Sequence, residues 1–330
     1  MKVLIIGGAG FIGSHMAKLL SKGGHNVVSF DNLSSGYREL ARYGKLVIGD
    51  LNNYQHINDL FSQHSFDVVM HFAASIVVSE SVINPGKYYR NNLSNTLNLL
   101  DVMVMHGVKK LIFSSTAAIY GEPKTIRISE DHQKKPINPY GTSKLMVETV
   151  LGDYAKAYGL NFISLRYFNA AGSDPEIELG LLHEPVTHLI PLVLQVASGR
   201  KKSINVFGKN YHTKDGTCVR DFIHIQDLCS AHILAMEALD SEKFNGGKAF
   251  NLGNGNGFTV MEVIDTAKRI VAKEGFNINV KYGKPRDGDS AVLVAEASKA
   301  RNELNWRPEY NDLPTIINHA WQWEKKLAGI

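Results

Sequence analysis

Cysteine is scarce in this sequence, and neither sign of charge dominates it. The two cysteines, Cys218 and Cys229, stand in no metal-ligand spacing and are too few for a disulfide framework, which indicates a reducing, cytoplasmic environment. Lys and Arg number 36 against 32 Asp and Glu, and no long basic run occurs. This balance argues against a nucleic-acid partner and against binding to an acidic membrane surface.

Long apolar runs are missing as well. No stretch approaches the roughly 18 uninterrupted apolar residues that a membrane-spanning helix needs. The apolar segment at residues 189–197 is interrupted by Pro191 and Gln195. The first apolar run, Lys2–Ile6, stops at Gly7 without the longer apolar region and the cleavage site of a signal peptide. The sequence therefore predicts a soluble protein that is neither exported nor attached to a membrane.

What the sequence does have is a regular alternation of short apolar runs with amphipathic segments. Of its 330 residues 44% are hydrophobic, enough for a large buried core. Such alternation is typical of βαβ units, in which the crossover helix leaves the strands parallel. It predicts an α/β fold with a doubly wound parallel sheet (Rossmann fold), with helices over residues 12–21 and 92–105. The predicted strands are residues 2–6, 26–30, 45–48, 67–72, 110–114 and 161–166.

The composition changes near residue 170. After this point Gly, Pro and Asn become frequent, and the alternation of apolar runs with amphipathic segments loses its regularity. We therefore predict two domains, residues 1–170 and 171–330. The second is a smaller α/β substrate domain, some segments of which return to pack on the first. Within it we expect a helix and then a short strand at residues 185–208, a strand leading into a helix at 221–239, a helix at 258–274, and a turn region at 245–257.

A glycine-rich segment follows the first predicted strand directly. Residues 7–13 read Gly-Gly-Ala-Gly-Phe-Ile-Gly and open an amphipathic segment, which is the strand-turn-helix context of a dinucleotide-binding loop. Glycine permits the tight turn, lets the backbone approach a pyrophosphate, and lets helix and strand pack closely. The helix N-terminus offers amide donors and a positive dipole end to phosphates. A glycine turn without a ligand is the simpler alternative, since this motif alone is weakly specific.

Asp31 ends the second predicted strand, at about the separation expected of the group that binds the adenosine ribose. A carboxylate there accepts hydrogen bonds from both ribose hydroxyls and repels a 2′-phosphate, so NAD is favoured over NADP. Asp50 and Leu51 follow the third strand and are a candidate adenine contact. A plain turn role is the alternative for each, but Asp31 together with the glycine loop favours residues 1–170 as an NAD-binding domain.

Tyr140 and Lys144 are spaced by four, which places both side chains on one face of a helix that we expect to begin at Pro139. Free tyrosine has a pKa of about 10 and is a poor base at neutral pH. A nearby ammonium and a positive nicotinamide ring would lower that pKa toward the operating pH. Ser114 and Thr116 end the fifth predicted strand, so their hydroxyls should project where the nicotinamide lies. The simpler alternatives are that Tyr140 and Lys144 form a surface pair and that the hydroxyls only cap a helix. The occurrence of both features downstream of a dinucleotide-binding motif disfavours these alternatives.

With these residues in place, the chain resembles the extended short-chain dehydrogenases/reductases, and among them the UDP-galactose (UDP-glucose) 4-epimerases, over essentially its full length. The resemblance extends to residues 166–172, Arg-Tyr-Phe-Asn-Ala-Ala-Gly, to residues 216–224, and to residues 285–289, Pro-Arg-Asp-Gly-Asp. It implies an isomerase that interconverts UDP-galactose and UDP-glucose by reversible hydride transfer at C4, through a 4-keto intermediate, on tightly bound NAD.

The resemblance also implies roles for individual residues, and it implies no metal. The catalytic residues would be Tyr140, Lys144 and Thr116. The cofactor site would consist of Gly7, Gly10, Phe11, Ile12, Gly13, Asp31, Asn32, Asp50, Leu51, Phe72, Ala73, Ala74, Asn91, Ser114, Tyr140, Lys144 and Tyr167. The substrate site would consist of Thr116, Tyr140, Asn169, His188, Phe207, Arg220, Arg286, Asp289 and Leu293. Among these, the paired arginines would clamp the diphosphate with planar, permanently charged guanidinium groups.

Several positions distinguish this chain within the family. Related 4,6-dehydratases carry an Asp-Glu pair after the catalytic hydroxyl, whereas Ala117 and Ala118 stand there, which leaves return of the hydride as the route of the keto intermediate. Ile76 replaces a lysine that in some members touches the pyrophosphate, and His188 replaces a substrate-binding asparagine. Leu293, at the position that gates N-acetylated sugars, favours plain hexoses.

Two alternatives to this function remain open at this point. One is a 4-epimerase acting on UDP-N-acetylhexosamine or on a UDP-pentose. The other is a non-catalytic, NAD-sensing regulatory protein, which the intact pair of Tyr140 and Lys144 disfavours. The resemblance further implies a homodimer formed through a helical bundle, for which residues 92–105 and 144–158 are candidates, although both segments would serve equally as ordinary sheet-covering helices.

Overall fold

The computed structural model describes residues 1–183, 185–241, 244–285 and 290–330. Its α-helices are α1 (Phe11–Lys22), α2 (Tyr54–Gln63), α3 (Val78–Ile83), α4 (Pro85–Tyr88), α5 (Asn95–Met105), α6 (Pro139–Tyr158), α7 (Leu189–Ala197), α8 (Ile225–Asp240), α9 (Val260–Ala272), α10 (Ser298–Glu303) and α11 (Leu313–Ala328). Its strands are β1 (Lys2–Ile6), β2 (Asn26–Asp31), β3 (Lys45–Ile48), β4 (Val68–His71), β5 (Lys110–Thr116), β6 (Arg127–Ile128), β7 (Asn161–Tyr167), β8 (Asn169–Ala171), β9 (Ile204–Phe207), β10 (Val219–Arg220), β11 (Phe222–His224), β12 (Gly247–Leu252), β13 (Phe258–Thr259), β14 (Val280–Gly283) and β15 (Val292–Ala295).

The large sheet is parallel throughout and has the order β12-β7-β5-β4-β1-β2-β3. The predicted strands are confirmed, each within two residues of its expected ends. The direction in which successive strands are added to the sheet reverses at β1, which pairs with β2 on one side and with β4 on the other. The doubly wound Rossmann-type sheet expected from the sequence is therefore confirmed, and its topological switch point lies directly before the glycine loop.

Alternate side chains of the central strands enter two separate cores, because successive residues of a strand point to opposite faces. Val3 and Ile5 pack with Met16 and Leu20 of α1 and with the apolar face of α8. Leu4 and Ile6 pack on the other face, against α2, α5 and α6. Helices thus cover both faces, and the near-continuous apolar runs of the sequence follow from burial on both sides.

The turn region predicted at residues 245–257 is wrong over β12, which is the seventh strand of the sheet. The sequence there, Gly-Lys-Ala-Phe-Asn-Leu, carries few β-forming residues, and it is held by pairing with β7. A Cβ at Gly247 would lie 2.2 Å from the Phe162 ring, so glycine is needed for this close approach. Asn251 is buried, and its side chain accepts from Tyr120 and donates to the Ile128 carbonyl.

The remaining elements build a smaller unit beside the sheet. Its core lies between α7, α9 and α11. Short strands form a sheet of order β13-β10-β15-β6 and the pairs β11-β8 and β14-β9. The expected helix and strand at residues 185–208 are α7 and β9, and those expected at 221–239 and 258–274 are β11 with α8, and α9. In the part of the chain that the structure describes, no helix has both the length and the apolar character needed to cross a bilayer.

Candidate active site

The predicted site residues come from elements far apart in the chain but meet at one edge of the large sheet. The glycine loop follows β1, Asp31 ends β2, Phe72 follows β4, Thr116 ends β5 and Tyr167 ends β7. Because these strands are parallel, all five positions lie at their carboxyl ends, where open α/β sheets bind ligands.

The glycine loop is packed too tightly for side chains. Gly7 has a φ of +83°, and a Cβ there would lie 2.7 Å from the backbone nitrogen of Ala73. A Cβ on Gly13 would lie 2.2 Å from the carbonyl oxygen of Gly7, so α1 can approach β1 only with glycine at that position. The N-cap of α1 is Gly10, which makes no side-chain cap, and the first turn carries no acidic residue. The first-turn amides have no intrahelical partner, and this N-terminus therefore fits a pyrophosphate.

Asp31 is 8% exposed at the end of β2 and faces the glycine loop. One carboxylate oxygen accepts the Ala9 N–H at 2.9 Å, and the other accepts the Leu33 N–H at 2.8 Å. Burial raises the pKa of this carboxyl, and the two backbone hydrogen bonds oppose the rise. Nearby, the Asn32 amide donates to Asp50 at 2.9 Å, which brings two of the predicted cofactor residues together after β2 and β3.

The segment after β4, which includes the predicted Phe72, Ala73 and Ala74, is tied to the helices by one asparagine. Asn91 and Asn92 lie in a π-helical turn, Tyr89–Ser94, that precedes α5. The Asn92 side chain accepts the Ser75 N–H at 2.8 Å and donates to the Ser75 carbonyl at 3.0 Å and to the Ser143 hydroxyl at 3.1 Å. The sequence predicted only Asn91. A second asparagine beside it was the available signal, but its role depends on the π-helical geometry.

Tyr140, Lys144 and Thr116 are brought together as predicted. Helix α6 begins at Pro139, capped by Asn138, whose side chain accepts the Gly141 N–H at 2.8 Å. Tyr140 and Lys144 share one face of this helix, and the Thr116 side chain lies close enough to the phenol to favour its ionised form. Lys144 is 3% exposed, and its ammonium donates to the Ser114 carbonyl at 2.9 Å and lies 4.8 Å from the centre of the Phe113 ring.

The acid–base properties of the pair are set mainly by burial. Burial raises the pKa of Tyr140, and the side chain of Thr116 only partly opposes this. Burial lowers the pKa of Lys144 to about 7, against the charge of Glu148 one helical turn further on. The expectation that Lys144 lowers the phenol pKa is therefore not met by the protein groups alone, because desolvation disfavours the phenolate.

Other aromatic and hydroxyl groups enclose the reactive pair. Tyr88 is fully buried and packs edge-on to Tyr140, with ring centres 6.4 Å apart. The Tyr88 hydroxyl donates to the Val77 carbonyl at 2.5 Å, which fixes the ring. The hydroxyls of Ser114 and Tyr167, which lie on the neighbouring strands β5 and β7, are hydrogen-bonded to each other.

The predicted substrate residues lie on the smaller unit and on the strand that leads into it. Asn169 begins β8, and its side chain donates to the Asp221 carbonyl at 3.0 Å. Arg220 lies opposite Leu293 in the pairing of β10 with β15, and its guanidinium donates to the Ser290 carbonyl at 2.8 Å. Phe207 ends β9. Leu293 packs against a small buried cluster around Ile119 and Ile128.

His188 occupies the N-cap of α7, without a side-chain cap. Burial lowers the pKa of this imidazole to about 4, so it is neutral at physiological pH. Its Nδ1 is buried and finds no hydrogen-bond partner among the described residues. An unpartnered buried nitrogen is costly, which fits a polar ligand group at this position. The two other predicted substrate residues, Arg286 and Asp289, lie outside the described residues.

The fold and site are those of a nucleotide-dependent oxidoreductase-type enzyme. One edge of a doubly wound sheet carries a glycine loop, a ribose-type carboxylate and a Tyr-x-x-x-Lys pair. The chain belongs to the NAD dependent epimerase/dehydratase family, whose model matches residues 3–253.

Within this family, the chain is similar to proteins named as UDP-sugar 4-epimerases. The chain is similar to the UDP-glucose 4-epimerase of Halalkalibacterium halodurans, with 45% identity over 99% of this chain and 96% of that protein. Its structure is similar to the UDP-glucose 4-epimerase from Brucella ovis in complex with NAD, with 43% identity, 98% of each chain covered and a TM-score of 0.93. It is also similar to the UDP-Glc/GlcNAc 4-epimerase from Campylobacter jejuni, with 44% identity, 98% of this chain and 99% of that one covered, and a TM-score of 0.84.

Proposed function

We propose that this chain is a UDP-glucose 4-epimerase that interconverts UDP-galactose and UDP-glucose on tightly bound NAD. The observation that carries the proposal is the meeting of Tyr140, Thr116 and Lys144 beside a glycine loop that admits no side chains. Ala117 and Ala118 directly follow the hydroxyl, where a dehydratase would need an acid and a base. Relatives of the same length and of 45% identity carry this activity in their names.

The cofactor would be held by the residues that the sequence predicted at the carboxyl edge of the sheet. The first-turn amides of α1 would bind the pyrophosphate, since the helix end is uncapped and its turn has no anion. Asp31 would accept the adenosine ribose hydroxyls through the lone pairs that Ala9 and Leu33 do not use. When bound, NAD would supply the acceptor for the hydride that leaves C4 of the sugar and the donor for its return.

Tyr140 is the proposed base. In its ionised form, the phenolate would accept the proton of the 4-hydroxyl as C4 is oxidised, and the resulting phenol would return that proton when C4 is reduced. Thr116, whose side chain lies beside the phenol, would hold the oxygen of that hydroxyl. Since burial raises the phenol pKa in the protein, ionisation depends on positive charge close by, from Lys144 and from the ring of the bound cofactor.

The uridine diphosphate would stay anchored while the 4-keto sugar turns over. Arg220 and Arg286 are the proposed diphosphate clamp, Phe207 the packing surface for uracil, and Asp289 the ribose ligand. Asn169 and His188 would contact the sugar nucleotide, and the unpartnered Nδ1 of His188 supports a polar contact there. Loss of hydride from C4 and its return to the opposite face of the same carbon would then need only rotation of the 4-keto sugar.

A second candidate substrate is a UDP-N-acetylhexosamine. Its support is the 44% identity to a solved UDP-Glc/GlcNAc 4-epimerase. Leu293, partly buried against the Ile119 cluster, would leave less room for an acetamido group than a smaller residue. The two substrates are distinguished by comparing kcat/KM for UDP-galactose and UDP-N-acetylgalactosamine in the wild type and in Leu293→Ala. We expect the ratio to favour the plain hexose in the wild type and to shift toward the acetylated sugar in the variant.

The direct test of the proposed function is to incubate the purified protein with UDP-galactose, without added NAD, and to look for UDP-glucose. Product formation is expected, because each cycle regenerates the cofactor that copurifies with the protein. A preparation that contains bound NAD but forms no UDP-glucose would contradict the proposal and would favour a regulatory NAD-binding protein.

The finer predictions on assembly and location belong to this proposal. A homodimer would form through α5 and α6, which carry the partly exposed Leu97 and the exposed Met146. A cytoplasmic location suits the two buried, unpaired cysteines, Cys218 and Cys229. The division near residue 170 remains a prediction, with α8 and β12 as the segments that return to the first domain.

A further inference from the structure

A buried ion pair lies directly behind the catalytic helix. Glu148 and Arg166 are joined by two hydrogen bonds, Nε to Oε1 at 2.9 Å and Nη2 to Oε2 at 2.6 Å. Their side chains are 9% and 5% exposed. Neither residue belongs to the cofactor or substrate site described above, and a buried ion pair is weak evidence for stability as such.

The pair is connected to both strands next to the catalytic hydroxyl. Ser115, the neighbour of Thr116, donates to Glu148 at 2.6 Å. Arg166, the neighbour of Tyr167, donates to the Tyr120 hydroxyl at 2.9 Å, and that hydroxyl donates to Asn251 at 2.7 Å. Glu148 thus fixes the middle of α6 to β5 and β7 at the level of the reacting groups.

Glu148 also continues the catalytic face of the helix. Tyr140, Lys144 and Glu148 are each four residues apart, so they lie one above another on α6. Two described titratable groups act on or respond to the Lys144 ammonium: Glu148 is an anion, and His71 of β4 is a buried imidazole whose pKa is lowered by burial and by Lys144. Lys144 has almost no solvent exposure to stabilise its charge.

We propose that Glu148 is a positioning residue that keeps the Lys144 ammonium charged and in place, and that Arg166 sets how strongly it does so by sharing the Glu148 carboxylate. The inference rests on the proposed function, in which a charged Lys144 stabilises the Tyr140 phenolate. It assigns to the ion pair an electrostatic role in addition to its packing.

The two partners of the pair are then expected to act in opposite directions. Replacing Glu148 by Gln removes the anion that opposes desolvation of Lys144, so the ammonium loses its proton at lower pH. Replacing Arg166 by Gln removes the cation that neutralises the Glu148 carboxylate, so the Lys144 ammonium keeps its proton to higher pH. A role confined to packing would not produce shifts of opposite sign, because both changes break the same contact.

The test is a pH titration of Lys144 in the NAD-bound protein, by carbon NMR of protein labelled at the lysine ε-carbons. Lys144→Met assigns the resonance, which should be distinct because burial lowers the pKa of Lys144 to about 7. We expect its midpoint to fall by roughly one pH unit in Glu148→Gln and to rise by roughly half a unit in Arg166→Gln. The alkaline limb of the pH profile of kcat should move in the same two directions.

Two matched variants control for packing. Ser115→Ala removes a neutral hydrogen bond to Glu148, and Arg166→Lys keeps the charge while losing the two-point contact, so both should leave the Lys144 midpoint within about 0.3 units of the wild type. Should Arg166→Gln fail to fold, Arg166→Met gives the same change of charge. Shifts of equal sign in the Glu148 and Arg166 variants, or no shift in Glu148→Gln, would overturn the proposal. Because NMR reports the charge of a lysine and not turnover, a wild type without epimerase activity would contradict the proposed function only.

Discussion

At the scale of single residues, the site combines groups that react with groups that only make room. Tyr140 belongs to the first kind in the proposed mechanism, since its phenol lies beside Thr116 at the carboxyl edge of the sheet. Gly13 belongs to the second kind, because any Cβ there would meet the Gly7 carbonyl oxygen at 2.2 Å. The two kinds predict different defects when they are changed.

Tyr140→Phe should reduce kcat by about a hundredfold to ten-thousandfold, the usual contribution of a positioned proton-transfer group. The ring that packs against Tyr88 is retained, so the bound NAD content and the Kd for UDP should stay within about twofold of the wild type. Steady-state kinetics and isothermal titration with UDP check both expectations. Wild-type turnover in this variant would show that another group transfers the proton.

Gly13→Ala should abolish retention of NAD, because α1 must move away from β1 and carry its first-turn amides with it. The measurement is the nucleotide content of the purified protein, by absorbance and chromatography after denaturation. Gly152→Ala is the matched control: a Cβ at that helical position meets nothing within 4 Å, so it should keep the cofactor. Equal NAD content in the two variants would contradict the assignment of the loop.

At the scale of elements, the helix that follows the glycine loop is attached to the second half of the chain by a buried lysine. The Lys18 ammonium of α1 lies 2.5 Å from Asp174, 2.9 Å from Glu176 and 2.8 Å from Glu178. Lys18 and Asp174 are both 2% exposed. Burial lowers the pKa of Lys18, but the three carboxylates raise it by more. This contact connects the cofactor-binding helix to the segment that leads to α7.

Lys18→Met should lower the free energy of unfolding by about 3–5 kcal/mol, because it leaves Asp174 buried without its ion-pair partner. Lys22→Met is the control: Lys22 also pairs with Glu176, at 2.6 Å, but is 52% exposed, so its loss should cost less than about 1 kcal/mol. Urea unfolding of the three proteins gives the comparison. Similar losses in both variants would show that burial of the contact does not matter.

The same contact should weaken in acid. Lys22 and then Lys18 lower the pKa of Glu176 from 4.5 to about 2, and Lys18 lowers that of Glu178. A carboxyl whose pKa is depressed by folding stabilises the protein above its unfolded pKa, and this contribution is lost as pH falls toward the folded value. The difference in Tm between the wild type and Lys18→Met should therefore be constant from pH 7 to about 5 and shrink from about pH 4.5 toward 2. A difference that grew with acidification would contradict this sign.

At the scale of the whole molecule, the predictable part of the fold is the part in which local sequence and final burial agree. The predicted strands were found because they are apolar runs buried on both faces, and the glycine loop because it follows one of them directly. Strand β12 was missed because its pairing with β7, and not its own composition, holds it in the sheet. Asn92 and Glu148 were missed because their partners, Ser75 and Arg166, are distant in the chain.

Assembly is also a property of the whole molecule. If α5 and α6 form the proposed dimer, Leu97→Arg should convert it to monomers, because a charge at a dry helical interface is costly. Ile126→Arg is the control, since Ile126 is 76% exposed, adjoins β6 and belongs to neither helix. Sedimentation equilibrium gives the masses. A dimer in both variants would place the interface elsewhere.

The central claim is that one hydrogen leaves C4 of the sugar and returns to the same carbon inside a closed site. It is tested most directly with UDP-galactose that carries deuterium at C4, converted by the purified protein in ordinary water. Mass spectrometry and proton NMR of the UDP-glucose formed should show the deuterium retained at C4, because Tyr140 exchanges only the hydroxyl proton. Replacement of that deuterium by hydrogen from the solvent would contradict the account.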